Sequence, residues 1–225
     1  FKNPAASGSY PGVNTGDYAD TGFDDEFTWC ATELYITTKD ETYYKEINFD
    51  VSFGVPGYPT VGSLSLLSLI VNKDSLTEVA DLDLIKSKFI AAVSGIKNSI
   101  STSPYRIPGD FYYWGGNNAF ANWGMMFMRA FRLTGDASYF NAGLFTLDYL
   151  LGKNATTYCF VTGLGSKSPM NPHHRISASD GVADPVPGML VGGAGGDGSD
   201  CGASAYPSKL SAKSYLDQVC SYSTN

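Results

Sequence analysis

Apolar residues along the chain recur mainly at helical spacing. Ile85, Phe89, Ala92, Ile96 and Ile100 fall on one side of a 3.6-residue helix, as do Phe140, Leu144, Leu147 and Leu151, so each set predicts an amphipathic helix. From Asn117 to Leu133 the pattern changes. Phe120, Trp123, Met125, Met126, Phe127, Met128, Phe131 and Leu133 put apolar groups all round the axis, and a helix of that kind is expected to be buried on every side.

A repeat adds topology. Thr38-Lys39-Asp40-Glu41-Thr42-Tyr43-Tyr44 and Thr134-Gly135-Asp136-Ala137-Ser138-Tyr139-Phe140 share the pattern Thr-x-Asp-x-(Ser/Thr)-Tyr-(Phe/Tyr), and each follows an aromatic-rich helix. A turn that ends one helix, followed by an Asp that caps the next, makes a helical hairpin. Hairpins bury their faces against neighbours, and the alternation of all-round apolar with one-sided helices suits a two-layer toroid. The pattern alone reaches an all-α barrel or solenoid. Irregular stretches interrupt it at 54–60, 103–116 and 154–207, and the last is long enough to point to function.

Composition narrows the class. At 225 residues with 43% apolar and 14% aromatic content, the chain can bury a sizeable core. A net charge of -7 without a basic stripe argues against nucleic acid, and a surface rich in Tyr and Gly suits neutral ligands such as sugars. No apolar run approaches the roughly 20 residues of a membrane span, and Phe1 opens no signal pattern, so a soluble, cut or processed chain is expected. Cys30, Cys159, Cys201 and Cys220 show no CxxC spacing. Cys201 with Cys220 is a candidate disulfide, while Cys30 reads as a buried thiol in a helix.

Both histidines lie in the long irregular stretch, within Val161-Thr162-Gly163-Leu164-Gly165-Ser166-Lys167-Ser168-Pro169-Met170-Asn171-Pro172-His173-His174-Arg175. A surface or core pair is the bland reading of two adjacent histidines, but a Gly-rich loop with flanking Pro and Arg favours hydrogen bonding to a ligand. No third ligand at a convincing spacing supports zinc. Here the chain resembles the family 9 glycoside hydrolases, whose first signature matches Gly165, Lys167, Pro172, His173 and Arg175. Cys159 departs from the Ser, Thr or Val preferred there. The stretch Asp180-Gly181-Val182-Ala183-Asp184-Pro185-Val186-Pro187-Gly188-Met189-Leu190-Val191-Gly192-Gly193 is similar to a family segment too. Its glycines are no phosphate loop, because no Lys-Ser or Lys-Thr follows and Asp197 and Asp200 would repel phosphate.

The last residues, Tyr215 to Asn225, resemble the family's second signature, with Asp217 and Tyr222 at its fixed positions and the proton-donating Glu expected immediately after Asn225. The resemblance implies an (α/α)6 barrel, here incomplete, with residues 1–225 as the carboxyl-terminal portion of one catalytic domain. It also implies hydrolysis of β-1,4-glucosidic bonds in cellulose or related β-glucans with inversion. His173 and Arg175 would line the catalytic subsite with His174 beside them, and Asp217, on a terminal helix, would neighbour the acid. Trp114 in Trp114-Gly115-Gly116-Asn117-Asn118 would form a sugar platform, next to Tyr112 and Tyr113.

The family's base lies in a D-A-G-D motif further upstream. Asn14-Thr15-Gly16-Asp17 resembles it superficially, and Asp17 is not read as the base. The chain by itself is therefore expected to be inactive, with the missing amino-terminal part of the domain as a partner. Secretion is expected by resemblance. So is structural calcium, held by Asp25, Glu26 and the carbonyls of Thr21 and Gly22, with Asp180 and Asp184 as a weaker second site. Acids at a helix start also simply favour its dipole. The competing reading is a non-catalytic carbohydrate-binding toroid.

Overall fold

A computed structural model describes residues 22–195 and 200–225, so Thr21, Asp197 and the 14–17 segment lie outside the described residues. The helices are α1 (Asp24–Thr38), α2 (Glu41–Lys45), α3 (Gly62–Val71), α4 (Leu82–Ser99), α5 (Gly116–Thr134), α6 (Ala137–Leu150) and α7 (Arg175–Ser179). Among the described residues, β structure amounts to two isolated bridges, Gly57 with Thr60 and Val161 with Leu190. Two compact units divide between Phe89 and Ile90.

The repeat builds the same joint twice. Thr38 and Thr134 each donate a hydroxyl to a carbonyl four residues back (Leu34, Ala130) and accept the N–H of Asp40 or Asp136. The Asp side chains then cap the next helix by accepting from Thr42 N–H at 2.9 Å and Ser138 N–H at 2.8 Å. The residue between Thr and Asp is left-handed in both copies. Gly135, at φ 72°, adopts that conformation freely, whereas Lys39 does so at φ 62°.

In the first unit α1 packs on α2 and α3 through a stripe of Thr28, Ala31, Thr32 and Tyr35, against the buried Leu66, Leu69 and Ile70 of α3. Cys30 lies off that stripe and is exposed, contrary to the buried thiol expected; its neighbour Ala31 takes the inward position instead. In α4, Ile85, Phe89 and Val93 are fully buried, and Ile100 follows in a 3-10 turn, close to the expected face.

The second unit is organised by the α5–α6 hairpin. α5 buries Ala119, Phe120, Trp123, Met126, Phe127 and Ala130 but leaves Met125 46% exposed, so it is buried along one stripe and not all round. The expected face of α6 is also corrected. Phe140, Leu144, Leu147 and Leu151 are 37–47% exposed, while Tyr139, Ala142, Gly143, Thr146, Tyr149 and Leu150 are buried. Small residues decide this, because they let helix axes approach: at Gly143 an added Cβ would come within 2.9 Å of the Met128 side chain. Periodicity in large aliphatics found the other face.

One core cluster joins the hairpin to the irregular chain after it, with Phe120, Tyr149, Phe160, Val191 and Tyr215 at its centre. The Tyr149 ring lies tilted at 4.6 Å from that of Phe120, and Phe160 meets Tyr215 edge to face at 5.2 Å. Burial pushes the Tyr149 and Tyr215 phenols well above their usual range, keeping them neutral. Short ladders secure the irregular chain: Phe160 N–H to Leu150 C=O at 2.8 Å, Val191 N–H to Phe160 C=O at 3.0 Å and Thr162 N–H to Met189 C=O at 2.9 Å. The Asn117 amide donates to the Val191 carbonyl at 3.0 Å, and a Cβ at Gly193 (φ 103°) would lie 2.5 Å from that amide. The second glycine of the Leu-Val-Gly-Gly run is thereby required.

Candidate active site

The Met170–Arg175 loop and the carboxyl-terminal segment are tied together by one carboxylate. Asp217 accepts the Met170 N–H at 2.9 Å through Oδ2 and the Asn171 N–H at 2.8 Å through Oδ1, and the Asn171 amide donates to the Asp217 carbonyl at 3.2 Å. Hydrogen bonds to an ionised acceptor are among the stronger ones available, so this contact fixes the loop two residues before His173. Around Asp217 no helix forms, contrary to expectation. A 3-10 turn covers Ser211–Lys213 and turns follow. The side chains explain it: Thr224 Oγ1 accepts the Leu216 N–H at 3.4 Å, lies 3.2 Å from the Leu216 carbonyl and meets Ser221 Oγ at 2.6 Å. These hydroxyls satisfy the backbone in place of a helical ladder.

Next to this tie stand the other candidates. The His173 ring lies 5.8 Å from that of Tyr222, and the Trp114 indole N–H donates to the Tyr222 carbonyl at 2.9 Å. Trp114 is 60% exposed and Tyr222 52%, so both offer a ring face to solvent. His174 caps α7 through Nδ1, 2.9 Å from Ser177 Oγ, which commits that nitrogen to structure. Arg175 opens α7 and is exposed. A cleft of about 380 Å³ is lined by Asn171, His173, His174, Arg175, Val182 and Val219 among others. An exposed aromatic face with an imidazole beside it, and a guanidinium lining the same cleft as that imidazole, can hold a polyhydroxylated ring, stacking its C–H face while bonding its hydroxyls.

Lys167, matched by the first signature, points elsewhere. It donates to the Thr156 carbonyl at 3.0 Å and lies 4.1 Å from the centre of the Tyr158 ring, which makes it a strut of the loop. Cys159 is buried beneath it, and the Cys201–Cys220 disulfide is formed. Sequence reasoning missed Asn171, whose amide completes the Asp217 contact, and Tyr206, whose hydroxyl organises the segment around Tyr222. Neither carries a spacing signal; Asn171 lies inside the histidine-bearing stretch and Tyr206 in a run of small residues.

In the first unit the Asp25 carboxylate accepts a hydrogen bond from the neighbouring Glu26 carboxyl. Asp25 also accepts the Val61 N–H at 2.7 Å, at the start of α3. Burial works against its charge, yet the hydrogen bonds from Val61, Glu26 and Gly62 hold its carboxyl below the usual range. Two touching carboxylates are the right chemistry for a hard cation, and the exposed Gly22 precedes them in the chain. The remaining expected donor, Thr21, is outside the described residues. Asp180 is engaged with the Val182 N–H at 2.8 Å. No cluster of three His, Cys, Asp or Glu forms among the described residues.

The family model for glycosyl hydrolase family 9 matches residues 2–225. The chain belongs to glycosyl hydrolase family 9. A xyloglucan-specific endo-β-1,4-glucanase of Bacteroides ovatus is 37% identical over 96% of this chain and 38% of its own length. Endoglucanase D of Acetivibrio thermocellus is 31% identical over 85% of the chain and 32% of the relative. The chain thus spans about a third of the curated relatives it matches. Among solved structures, a Bacteroides ovatus family 9 protein superimposes with a TM-score of 0.80 at 35% identity, over 96% of this chain and 39% of that one. AaCel9A in complex with cellobiose-like isofagomine gives 0.81 at 28% identity, over 97% and 43%. The family 9 fold is the all-α (α/α)6 barrel, as the resemblance implied, whereas the hairpin repeat alone left a barrel or a solenoid open.

Proposed function

We propose that this chain forms part of an inverting endo-type glucanase that hydrolyses β-1,4-glucosidic bonds in cellulose or a related β-glucan. The observation that carries the reading is the Asp217 contact, which holds the family's two signature segments against each other beside Trp114, Tyr222 and His173. Trp114 and Tyr222 stack a glucosyl ring. His173 and Arg175 donate to its hydroxyls, and His174 shapes the loop through its cap on α7. Asp217 positions that loop.

Inversion needs two carboxyl groups roughly 6.5–9.5 Å apart. One takes a proton from water as the water oxygen bonds to the anomeric carbon; the other protonates the glycosidic oxygen as its bond to that carbon breaks. By the resemblance, the base is expected in the D-A-G-D motif upstream of this segment and the acid directly after Asn225. Each contributes ~10²–10⁴-fold, so the 225 residues alone are expected to show no turnover. The rest of the catalytic domain would be its partner, and the exposed Phe140, Leu144, Leu147 and Leu151 stripe supports one. The disulfide supports secretion, since such bonds persist in oxidising compartments. Calcium at Asp25, Glu26, Gly22 and Thr21 would stabilise the first unit by joining two carboxylates to backbone carbonyls.

Release of reducing ends from unsubstituted β-1,4-glucan and from xyloglucan by the full-length protein, with the anomer formed followed by NMR, tests this reading. The α-anomer should appear first. Binding to glucan without bond cleavage would overturn it in favour of the carbohydrate-binding module. Preference between the two glucans would then show whether the 37% identity to a xyloglucan-specific enzyme carries over in substrate choice.

A further inference from the structure

Tyr222 is held on both sides and free in the middle. Its neighbours Ser221 and Ser223 each place Oγ against the phenol oxygen of Tyr206, at 2.7 and 2.8 Å. Tyr206 gives its own hydrogen to Asp200 Oδ1 at 2.6 Å, so the two serine hydroxyls are the donors to Tyr206. Asp200 Oδ2 accepts the Ser223 N–H at 2.8 Å, and Oδ1 accepts the Cys201 N–H at 2.9 Å. Cys201 is bonded to Cys220, two residues before Tyr222, with Cα atoms 5.4 Å apart. Positions 220, 221 and 223 are therefore all pinned to one small framework. The ring of Tyr222, 52% exposed, projects from it beside His173 while its carbonyl receives the Trp114 indole.

A framework of this kind has an energetic use. An exposed aromatic on a loose turn loses conformational freedom when a ligand stacks on it, and that loss weakens binding; fixing the flanking backbone beforehand removes most of the penalty. The Tyr206 hydroxyl spends all its hydrogen-bonding capacity on this one task. Burial and the hydrogen bond to Asp200 push its phenol above its usual range, so it remains a donor at neutral pH.

We infer that Asp200 and Tyr206 are positioning residues for the sugar platform: through Ser221 and Ser223 they preset Tyr222, and with it Trp114, for stacking on a glucosyl unit. Neither touches the sugar. The inference rests on the β-glucan reading above and adds residues that neither signature contains.

The test is a double-mutant cycle in the full-length enzyme, with cellotetraose affinity read by calorimetry. Tyr206→Phe keeps the ring and removes the hydroxyl, so the fold should survive, as circular dichroism would check. It should weaken binding roughly tenfold in the otherwise unmodified enzyme, but less than about twofold when Tyr222 is already Ala, because an effect transmitted through Tyr222 disappears with it. Asp200→Asn should behave alike and serves if Tyr206→Phe lowers expression. Equal losses in both backgrounds, or no loss in either, would overturn the positioning role while leaving the β-glucan assignment standing. Failure of the unmodified enzyme to bind cellotetraose would overturn both.

Discussion

Trp114 donates its indole N–H to the backbone carbonyl of Tyr222, 2.9 Å away and 108 positions further along the chain. The bond orients one exposed ring by the backbone of another, so the placement of Trp114 depends on that of Tyr222. It also links the loop before α5 to the carboxyl-terminal segment, which the Asp217 contact anchors separately.

Removing the indole donor while keeping an aromatic ring isolates that link. Trp114→Phe is expected to lose about 1 kcal/mol of orientation, a roughly fivefold weaker binding of cellotetraose, since a net hydrogen bond is of that size. Trp114→Ala should lose more, because the stacking face goes too. Calorimetry on both variants checks the order; equal effects would mean that the ring alone matters.

Asp217→Asn keeps the shape and reverses part of the polarity. One carboxylate oxygen becomes an amide N–H₂ that faces the N–H of Met170 or Asn171, so one or both contacts break. A hydrogen bond to a charged group contributes about 1.5–3 kcal/mol, which sets the expected loss of stability. Turnover should fall roughly 10²-fold, because loosening the loop misplaces His173 and Arg175. Urea unfolding and steady-state kinetics of the full-length enzyme measure the two effects.

The hairpin joint offers a gain. Lys39 occupies the left-handed position that Gly135 fills in the other copy, and a side chain there costs about 1–2 kcal/mol. Lys39→Gly should therefore raise stability by about 1 kcal/mol, seen as a higher melting temperature, at the loss of one exposed 3.3 Å contact from Lys39 Nζ to Ser75 Oγ. A lower melting temperature would show that this contact outweighs the strain.

The two joints were legible because capping chemistry is local: Thr, Asp and the turn residue between them interact within a few positions. The site was legible only as motifs. His173, Asp217 and Tyr222 could be named, but nothing in their spacing revealed that Asp217 spends its oxygens on the Met170 and Asn171 backbone. Which face of α6 turns inward was misread for a related reason. Hydrophobic periodicity weighs Leu144 and Leu147 above Ala142 and Gly143, while helix approach favours the small residues. The irregular fold of the terminal segment was equally hidden, since it depends on side-chain hydroxyls finding distant backbone.

The Cys201–Cys220 disulfide closes a sequence separation of 19 residues. Loop-closure entropy puts its contribution at about 3 kcal/mol. Cys220→Ser should lower stability by about that amount and leave Cys201 as a free thiol, countable with a thiol reagent in the unfolded protein. A stability loss near zero would mean that the Asp200–Tyr206 hydrogen bonds hold the segment without the covalent link.

Acid should release the same segment. Burial disfavours the charge on Asp200, but hydrogen bonds from Tyr206, Ser223 and the Cys201 N–H outweigh it, and its carboxyl lies below the ordinary 3.8. A carboxyl depressed in the folded state stabilises the fold fully above its unfolded value and ceases to do so as pH falls through the folded one. The stability advantage of the unmodified protein over Asp200→Asn should accordingly be constant from neutral pH down to about 4, then shrink with further acidification. Asp25, Asp40 and Asp136 are depressed too, so the variant will still unfold in acid; only the difference between the two curves belongs to Asp200. Chemical denaturation at a series of pH values gives that difference directly, and an advantage that grew below pH 4 would show that Asp200 is protonated in the fold.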